Sequence, residues 1–271
     1  MAEQRDTGGL TITFLGTATS VGVPMVGCDC AVCHSDDPRD KRLRSSIWVR
    51  SPEAQWLVDS GPDLRAQCLR AGIRELDAVL LTHAHTDHVA GFDDLRRFSA
   101  PESARLPVYA SAECLAAVRR MFEFAFDGQN RFAGYLKPDP HLVEGPFWLG
   151  LTQVTPLPVR HGRVATQGYL FTRGGRKLAA YIPDMKAPLA GTAEALQGVE
   201  VLIVDALRYT DHPTHMTFEE ALAFSEKVGA ARTWLTHFQC QVSHAEAEEK
   251  LPAHIRLAYD NLTLTLPLPH P

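Results

Sequence analysis

Four metal-ligating side chains fall within six residues in His83-Ala-His85-Thr-Asp87-His88, directly after the short apolar run 78–81. On extended backbone His83 and His85 project to one side. Asp87 and His88 follow at a turn into a helix and reach a neighbouring point. One loop thus serves two metal centres side by side, whereas solvent-facing loop histidines would not require this spacing. Neutral imidazole and carboxylate suit zinc, manganese or iron. A buried strand that ends in such a loop is where α/β folds build their sites.

A pair of metals needs more donors. His161, Asp184 and His237 each end a predicted strand, after Leu157-Pro-Val-Arg160, Tyr181-Ile-Pro183 and Trp234-Leu-Thr236 respectively. One such residue alone is more often a core or surface group than a ligand, but the shared strand-end placement makes all three candidates. A second cluster, Cys28-Asp-Cys30-Ala-Val-Cys33, gathers three thiols into a tight turn near residues 28–33. Structural zinc takes four ligands in a tetrahedron. Cys240, three residues beyond His237, is the stronger candidate for the fourth, and His34 the weaker. Cys68 and Cys114 sit in helical patterns and read as core.

The 271 residues suffice for one large domain or two small ones, and no low-complexity linker divides them. We read a single domain over 1–271. Residues 46–50 and 55–58 form a predicted hairpin, and 64–71 a helix stopped by Gly72. Further helices are expected at 91–98, at 112–124 and at 217–228, the last with a Thr217/Glu220 capping box. Strands are expected at 10–15, 147–156, 169–172, 177–182, 201–204 and 233–235. In both halves strands come first in pairs and then alternate with helices. That favours two face-to-face sheets with helices outside, over a doubly wound single sheet. Twenty-seven basic against 32 acidic residues, a net charge of -5, oppose a broad grip on nucleic acid. No apolar run approaches the ~18 residues of a membrane span, and the N-terminal residues 1–9 are polar. The expectation is a soluble, cytoplasmic protein with no membrane partner, in which six cysteines serve metal or structure before disulfides.

The His-x-His-x-Asp-His motif with the later His161, Asp184 and His237 resembles the metallo-β-lactamase superfamily. The likeness runs from Phe14 to His237. It implies a four-layer αβ/βα sandwich with a dinuclear site at one edge of the sheets. By motif, it implies His83, His85 and His161 at one metal and Asp87, His88 and His237 at the other. Asp184 would bridge both. Asp59, in Val58-Asp-Ser-Gly61, is similar to the family's buried carboxylate that orients the metal loop. Phe14-Leu-Gly-Thr17, Val23-Pro24, the triple-Cys loop, Pro156-Leu-Pro158-x-x-His161 and Leu235-Thr-His237 resemble the phosphoribosyl 1,2-cyclic phosphate phosphodiesterases. That family often has His where Cys240 stands here, a swap zinc tolerates.

The resemblance implies a metal-dependent hydrolase, a phosphodiesterase acting on a small cyclic or sugar phosphate diester. Its cofactors would be two divalent ions, zinc or manganese or else iron, and one structural zinc. Paired cations turn a bridging water into a hydroxide nucleophile at neutral pH and neutralise charge on phosphoryl oxygens. Asp87 belongs to that catalytic centre. The expelled alkoxide needs a proton, and His215 in Asp211-His-Pro-Thr-His215 is similar to the family's phosphate-binding proton donor; His212 matches less well. The loop 17–22 offers backbone N–H groups to phosphate. Phe122, Phe124, Phe126 and Phe132 either wall a pocket or pack in the core. Two alternatives stand beside this reading. Ribonuclease Z-like processing of tRNA 3′ ends shares the Phe-Leu-Gly-Thr opening, but the net negative charge and the lack of a long basic arm oppose it. A non-catalytic metal-binding carrier related to pyrroloquinoline-quinone biosynthesis is opposed by the intact ligand set. A homodimer is the commonest assembly for such a chain.

Overall fold

Near-continuous apolar runs bury both faces of the central strands, alternating ones bury one face of the outer strands, and the chain builds two sheets from them. The computed structural model describes residues 8–99, 105–128 and 134–268. β1 (Gly9–Gly16), β2 (Ser46–Arg50) and β3 (Gln55–Val58) are antiparallel neighbours. β4 (Ala78–Leu80), β5 (Leu106–Ala110) and β6 (Pro138–Leu142) then add in parallel. Parallel neighbours need crossovers. These carry α1 (Leu64–Ala71), α2 (Thr86–Val89), α3 (Ala112–Met121) and α4 (Glu123–Phe126).

The second sheet repeats the plan. β7 (Phe147–Leu149), β8 (Thr152–His161), β9 (Val164–Arg173) and β10 (Arg176–Ile182) are antiparallel, and β11 (Ala187–Pro188) folds back onto β8. β12 (Val201–Asp205), β13 (Arg232–Thr236) and β14 (Ile255–Leu257) follow β10 in parallel. Their crossovers carry α5 (Thr192–Leu196), α6 (Phe218–Val228) and α7 (His244–Glu248). β15 (Thr263–Pro267) returns to the first sheet and pairs antiparallel with β1.

The period of two sorts the core into layers. Trp56, Val58 and Leu80 meet Phe171, Tyr181 and Ile203 between the sheets. Trp56 is fully buried and meets Phe171 edge-on at 5.6 Å, so its loss to Ala would cost about 3–5 kcal/mol. Their neighbours Leu57, Val79 and Leu81 point outward onto Leu64, Cys68 and Val118. On the far side Leu202, Val204 and Leu235 face Ala221, Phe224 and Val228. The result is the expected αβ/βα sandwich.

Sequence boundaries hold where local chemistry is strong. Gly72 ends α1 at φ 68°, and Thr217 caps α6 with Glu220 bonding back to it. Other expectations need correction. The helix expected over 112–124 breaks at Phe122, whose φ of -124° is not helical, because Phe122 and Phe126 both turn to pack on Phe92. Phe122 and Phe126 pack against the outer core, whereas Phe124 is exposed; Phe132 lies outside the described residues. The strand expected over 147–156 is two strands, turned at Gly150 with φ 57°. The helix expected at 91–98 is a 3-10 turn over Phe92–Phe98. Cys68 and Cys114 are core residues, as expected. Among the described residues no helix is long and apolar enough to cross a membrane.

Candidate active site

β10, β12 and β13 are mutually parallel, and β8 runs the same way as β10 because two antiparallel steps separate them. β3 and β4 are parallel in the other sheet. Carboxyl ends of these strands therefore share an edge. Asp59 follows β3, the His83 loop follows β4, His161 ends β8, Asp184 follows β10, Asp205 ends β12 and His237 follows β13.

Topology thus brings together every side chain expected as a catalytic-site ligand. Donor atoms of His83, His85, His161 and Asp184 lie within 4.8 Å of one another, and so do those of Asp87, His88 and His237. Asp184 stands between the two groups. Its Oδ2 is 3.8 Å from His83 Nε2 and 3.5 Å from His161 Nε2. Its Oδ1 is 3.1 Å from His88 Nε2 and 3.4 Å from His237 Nδ1. Each carboxylate oxygen faces one group.

The donor chemistry fits divalent cations. His88 Nε2 and Asp184 Oδ1 are buried, face each other and have no hydrogen-bond partner. Such atoms cost about 1–3 kcal/mol each when left unsatisfied. Burial disfavours a charged His88, but the carboxylates of Asp184, Asp59 and Asp87 hold it well above the usual imidazole range. Burial likewise pushes the Asp184 carboxyl up, and His237, His88 and His83 reverse this and hold it well below the usual carboxylate range. The cluster calls for positive charge, supplied by protons or by cations that replace them.

The surrounding backbone is shaped for this cluster. Asp59 Oδ1 accepts from the Thr82 N–H at 2.8 Å, and Oδ2 accepts from Thr82 Oγ1 at 2.9 Å and His88 Nδ1 at 2.7 Å. The proton fixed on Nδ1 leaves Nε2 of His88 aimed at the cluster. Asp59 and His237 adopt left-handed backbone, with φ 68° and 66°. That conformation costs a non-glycine residue on the order of 1–3 kcal/mol and persists only where surroundings impose it. Phe238 N–H to Thr17 O and Gln239 N–H to Leu207 O, each 3.0 Å, impose it at His237. Gly61 is required because a Cβ there would sit 2.1 Å from the Asp87 carbonyl oxygen.

His215 lies beside the cluster, its Nε2 4.0 Å from Asp184 Oδ2. Asp205, at the end of β12 and not among the candidates from sequence, accepts from His215 Nδ1 at 2.7 Å and from the Met185 N–H at 2.9 Å. Its strand-end position, shared with Asp59 and Asp184, was the available signal. Burial opposes a charged His215, but the adjacent Asp205 carboxylate and then Asp184 raise it to about 9. Burial lifts Asp205 to about 7 against the pull of His215. A cleft of about 280 Å³ opens over the cluster, lined in part by Thr19, Ser20, Arg163 and His215. His212 does not line it; the ring bonds Thr214 Oγ1 at 3.2 Å. Thr214 in turn accepts from His161 Nδ1 at 2.9 Å.

The thiols converge separately. The Sγ atoms of Cys28, Cys30, Cys33 and Cys240 lie within 4.8 Å of one another, and none is in a disulfide. Cys28 and Cys240 are 3.9 Å apart, close to the ~3.8 Å edge of a tetrahedron with ~2.3 Å zinc–sulfur bonds. The Cys33 N–H aimed at Cys30 Sγ helps lower that thiol to about 7, toward the thiolate a metal needs. His34 is exposed, its Nδ1 beside the Cys30 carbonyl, outside this group.

Residues 55–238 match the family model of the β-lactamase superfamily domain, and the chain belongs to that superfamily. Members are largely metal-dependent hydrolases, and the fold implies divalent metal binding that the His/Asp clusters fit. Within the superfamily the chain resembles the PhnP family. A solved structure described as a new diphosphatase from that family is 39% identical with a TM-score of 0.86, covering 94% of this chain and 96% of that one. An octanoyltransferase of Porphyromonas gingivalis is 38% identical over 259 residues, 92% of this chain. The chain spans 50% of that protein's length. Coenzyme PQQ synthesis protein B of Methylorubrum populi is 32% identical over 223 residues, 72% of each chain. Human tRNase Z, short form, shares the fold at 19% identity and a TM-score of 0.69, covering 95% of this chain and 100% of that one.

Proposed function

We propose that the protein is a dinuclear metal-dependent phosphodiesterase acting on small cyclic or sugar phosphate diesters. The observation that carries this is His215, whose Nδ1 lies 2.7 Å from Asp205 on the wall of the cleft, beside a complete set of metal donors. In this reading His83, His85, His161 and Asp184 would hold one cation. Asp87, His88, His237 and Asp184 would hold the second, with zinc, manganese and iron all suited to these donors. Cys28, Cys30, Cys33 and Cys240 would hold a structural zinc. The catalytic pair, when bound, supplies Lewis acidity at phosphorus and an activated water.

The chain's own groups do the rest. Asp59 and the Thr214 carbonyl orient His88 and His161. Asp205 holds the Nδ1 proton of His215, so Nε2–H faces the cleft. That imidazolium donates to a non-bridging phosphoryl oxygen and then protonates the departing alkoxide. The PhnP-family diphosphatase supports chemistry at phosphorus. The octanoyltransferase name is said of a protein about twice the matched length, and the tRNase Z likeness rests on fold alone. The full donor set weighs against a non-catalytic carrier, the reading that likeness to the PQQ protein would suggest.

Hydrolysis of bis(p-nitrophenyl) phosphate with manganese or zinc, set against a β-lactam and an octanoyl thioester, tests the proposal. Turnover of the diester alone is expected. His215→Ala should lower kcat/KM about a hundredfold or more with metal content unchanged. A fully metal-loaded protein inert toward the diester would sink the reading, and near-normal turnover in the variant would remove His215 from it.

A further inference from the structure

The loop between β12 and α6 carries two groups on which the centre depends. One is His215, the proposed proton donor. The other is Thr214, whose carbonyl accepts from the ligand His161 at 2.9 Å. The ends of the loop are pinned: the Leu207 N–H donates to the Met216 carbonyl at 3.0 Å, and the Phe218 N–H to the Arg208 carbonyl at 3.2 Å. Between them, residues 209–215 enter no backbone–backbone hydrogen bond among the described residues. Side chains therefore decide where this stretch sits. Arg208 braces it from its own base, through the Thr210 carbonyl at 3.1 Å and the Asp211 carbonyl at 2.6 Å.

A brace from outside the loop comes from Lys186. Its Nζ donates to Asp211 Oδ1 at 2.7 Å and to both carboxylate oxygens of Glu220, at 2.8 and 3.0 Å. An ammonium has three donors, and all are engaged. Lys186 stands two residues past Asp184, and its N–H donates at 2.8 Å to the carbonyl of Arg160, the residue before His161. Its backbone is thus anchored between two metal-ligand strands while its side chain reaches the loop bearing His215. Glu220 is fixed in turn, because its Oε2 accepts from the Thr217 N–H at 2.8 Å in the α6 capping box. The Asp211 side chain is 83% exposed, so the pair adds little to stability. What it sets is position. Without the ammonium the two carboxylates repel, and Asp211, four residues before His215, is free to swing away with its loop.

We propose that Lys186 is a positioning residue for the proton donor: the Asp211–Lys186–Glu220 clamp holds loop 208–216 so that Nε2 of His215 meets the leaving oxygen. The inference rests on the phosphodiesterase reading of the centre. Lys186 acts through the loop and makes no bond to substrate. A misplaced acid matters most for a leaving group that departs poorly without a proton.

The test compares ethyl phenyl phosphate with ethyl p-nitrophenyl phosphate, on the parent, Lys186→Met, Asp211→Asn and the double variant. Phenolate is the poorer leaving group. Lys186→Met should lower kcat/KM about tenfold on the phenyl ester and less than about threefold on the nitrophenyl ester, part of the ~10²–10⁴-fold that a placed acid supplies. Asp211→Asn, at an exposed position, should show the same leaving-group pattern even if Lys186→Met folds poorly. The double variant should be no slower than Lys186→Met, since both changes break one clamp. Lys186→Arg, which keeps the cation, should recover most of the rate. Equal losses on both esters, additive losses in the double variant, or no recovery with arginine overturns the proposal. So does a fall in catalytic metal by elemental analysis, which would place Lys186 behind Asp184 and His161 instead. A parent inert toward both esters would sink the phosphodiesterase reading. Hydrogen exchange in the metal-free protein then decides the clamp: amides of 208–216 should exchange faster in both single variants, and unchanged exchange overturns it.

Discussion

Asp205→Asn isolates the charge that holds the His215 proton. Asparagine keeps the shape and an oxygen able to accept from His215 Nδ1–H and the Met185 N–H, so geometry survives and charge goes. Burial alone would drive His215 below its ordinary 6.5, and Asp205 is the chief force lifting it to about 9. That lift is worth about 3 kcal/mol in favour of imidazolium, on the order of a hundredfold in protonation. An NMR titration of the metal-free protein should place the parent ring near 9 and the variant ring below 6.5. The same shift bears on stability. A raised folded value contributes stability that is full below pH 6.5 and lost as pH climbs through about 9. Asp205, lifted from 3.8 to about 7, adds a loss over that lower window. The parent should therefore weaken from pH 4 to 9 more steeply than the variant. With metals bound, the alkaline limb of kcat/KM should move down in pH and turnover at neutral pH should fall. A variant ring still titrating near 9 would refute the idea that Asp205 keeps the proton in place.

Three further outcomes follow from contacts described above. Cys240→Ala should lose one tightly held metal equivalent and lower Tm, read by elemental analysis and thermal melts; unchanged metal content would show that Cys240 is no ligand. Asp59→Ala should weaken catalytic-metal affinity about 10–100-fold, since His88 loses its orienting acceptor. Competition with a chelator would measure it. Gly61→Ala forces a Cβ against the Asp87 carbonyl and should cost about 1–3 kcal/mol in urea unfolding while loosening metal binding.

The metal centre was legible because its chemistry is local: four donors in six residues, and three more at the ends of apolar runs. The 46–58 hairpin was legible through its Ser51-Pro52-Glu53 turn, and α6 through the Thr217/Glu220 box. Other features were set by distant partners. β6 carries two prolines and a histidine and joins the sheet only because β5 offers it an edge. β14 is a three-residue strand, too short for periodicity to register. Asp205 gained its role from His215 ten residues on, and the break at Phe122 came from Phe92, which no local window includes. Left-handed backbone at Asp59 and His237 has only a weak residue signature, since neither is glycine although Asp and His adopt it more often than most side chains.

The pairing of β15 with β1 sets Pro267 opposite Gly9. β1 then runs seven residues to Gly16, roughly 23 Å, before the chain reaches Thr19 and Ser20 at the cleft. Gly9 and Pro267 are therefore neighbours on the side of the sandwich remote from chemistry. A short peptide could join them, and the ring could be reopened in a surface turn such as Gly174-Gly175 without disturbing a single metal donor. A circularly permuted enzyme built this way should assemble the same centre, and a module grafted at that seam would leave the substrate's approach clear.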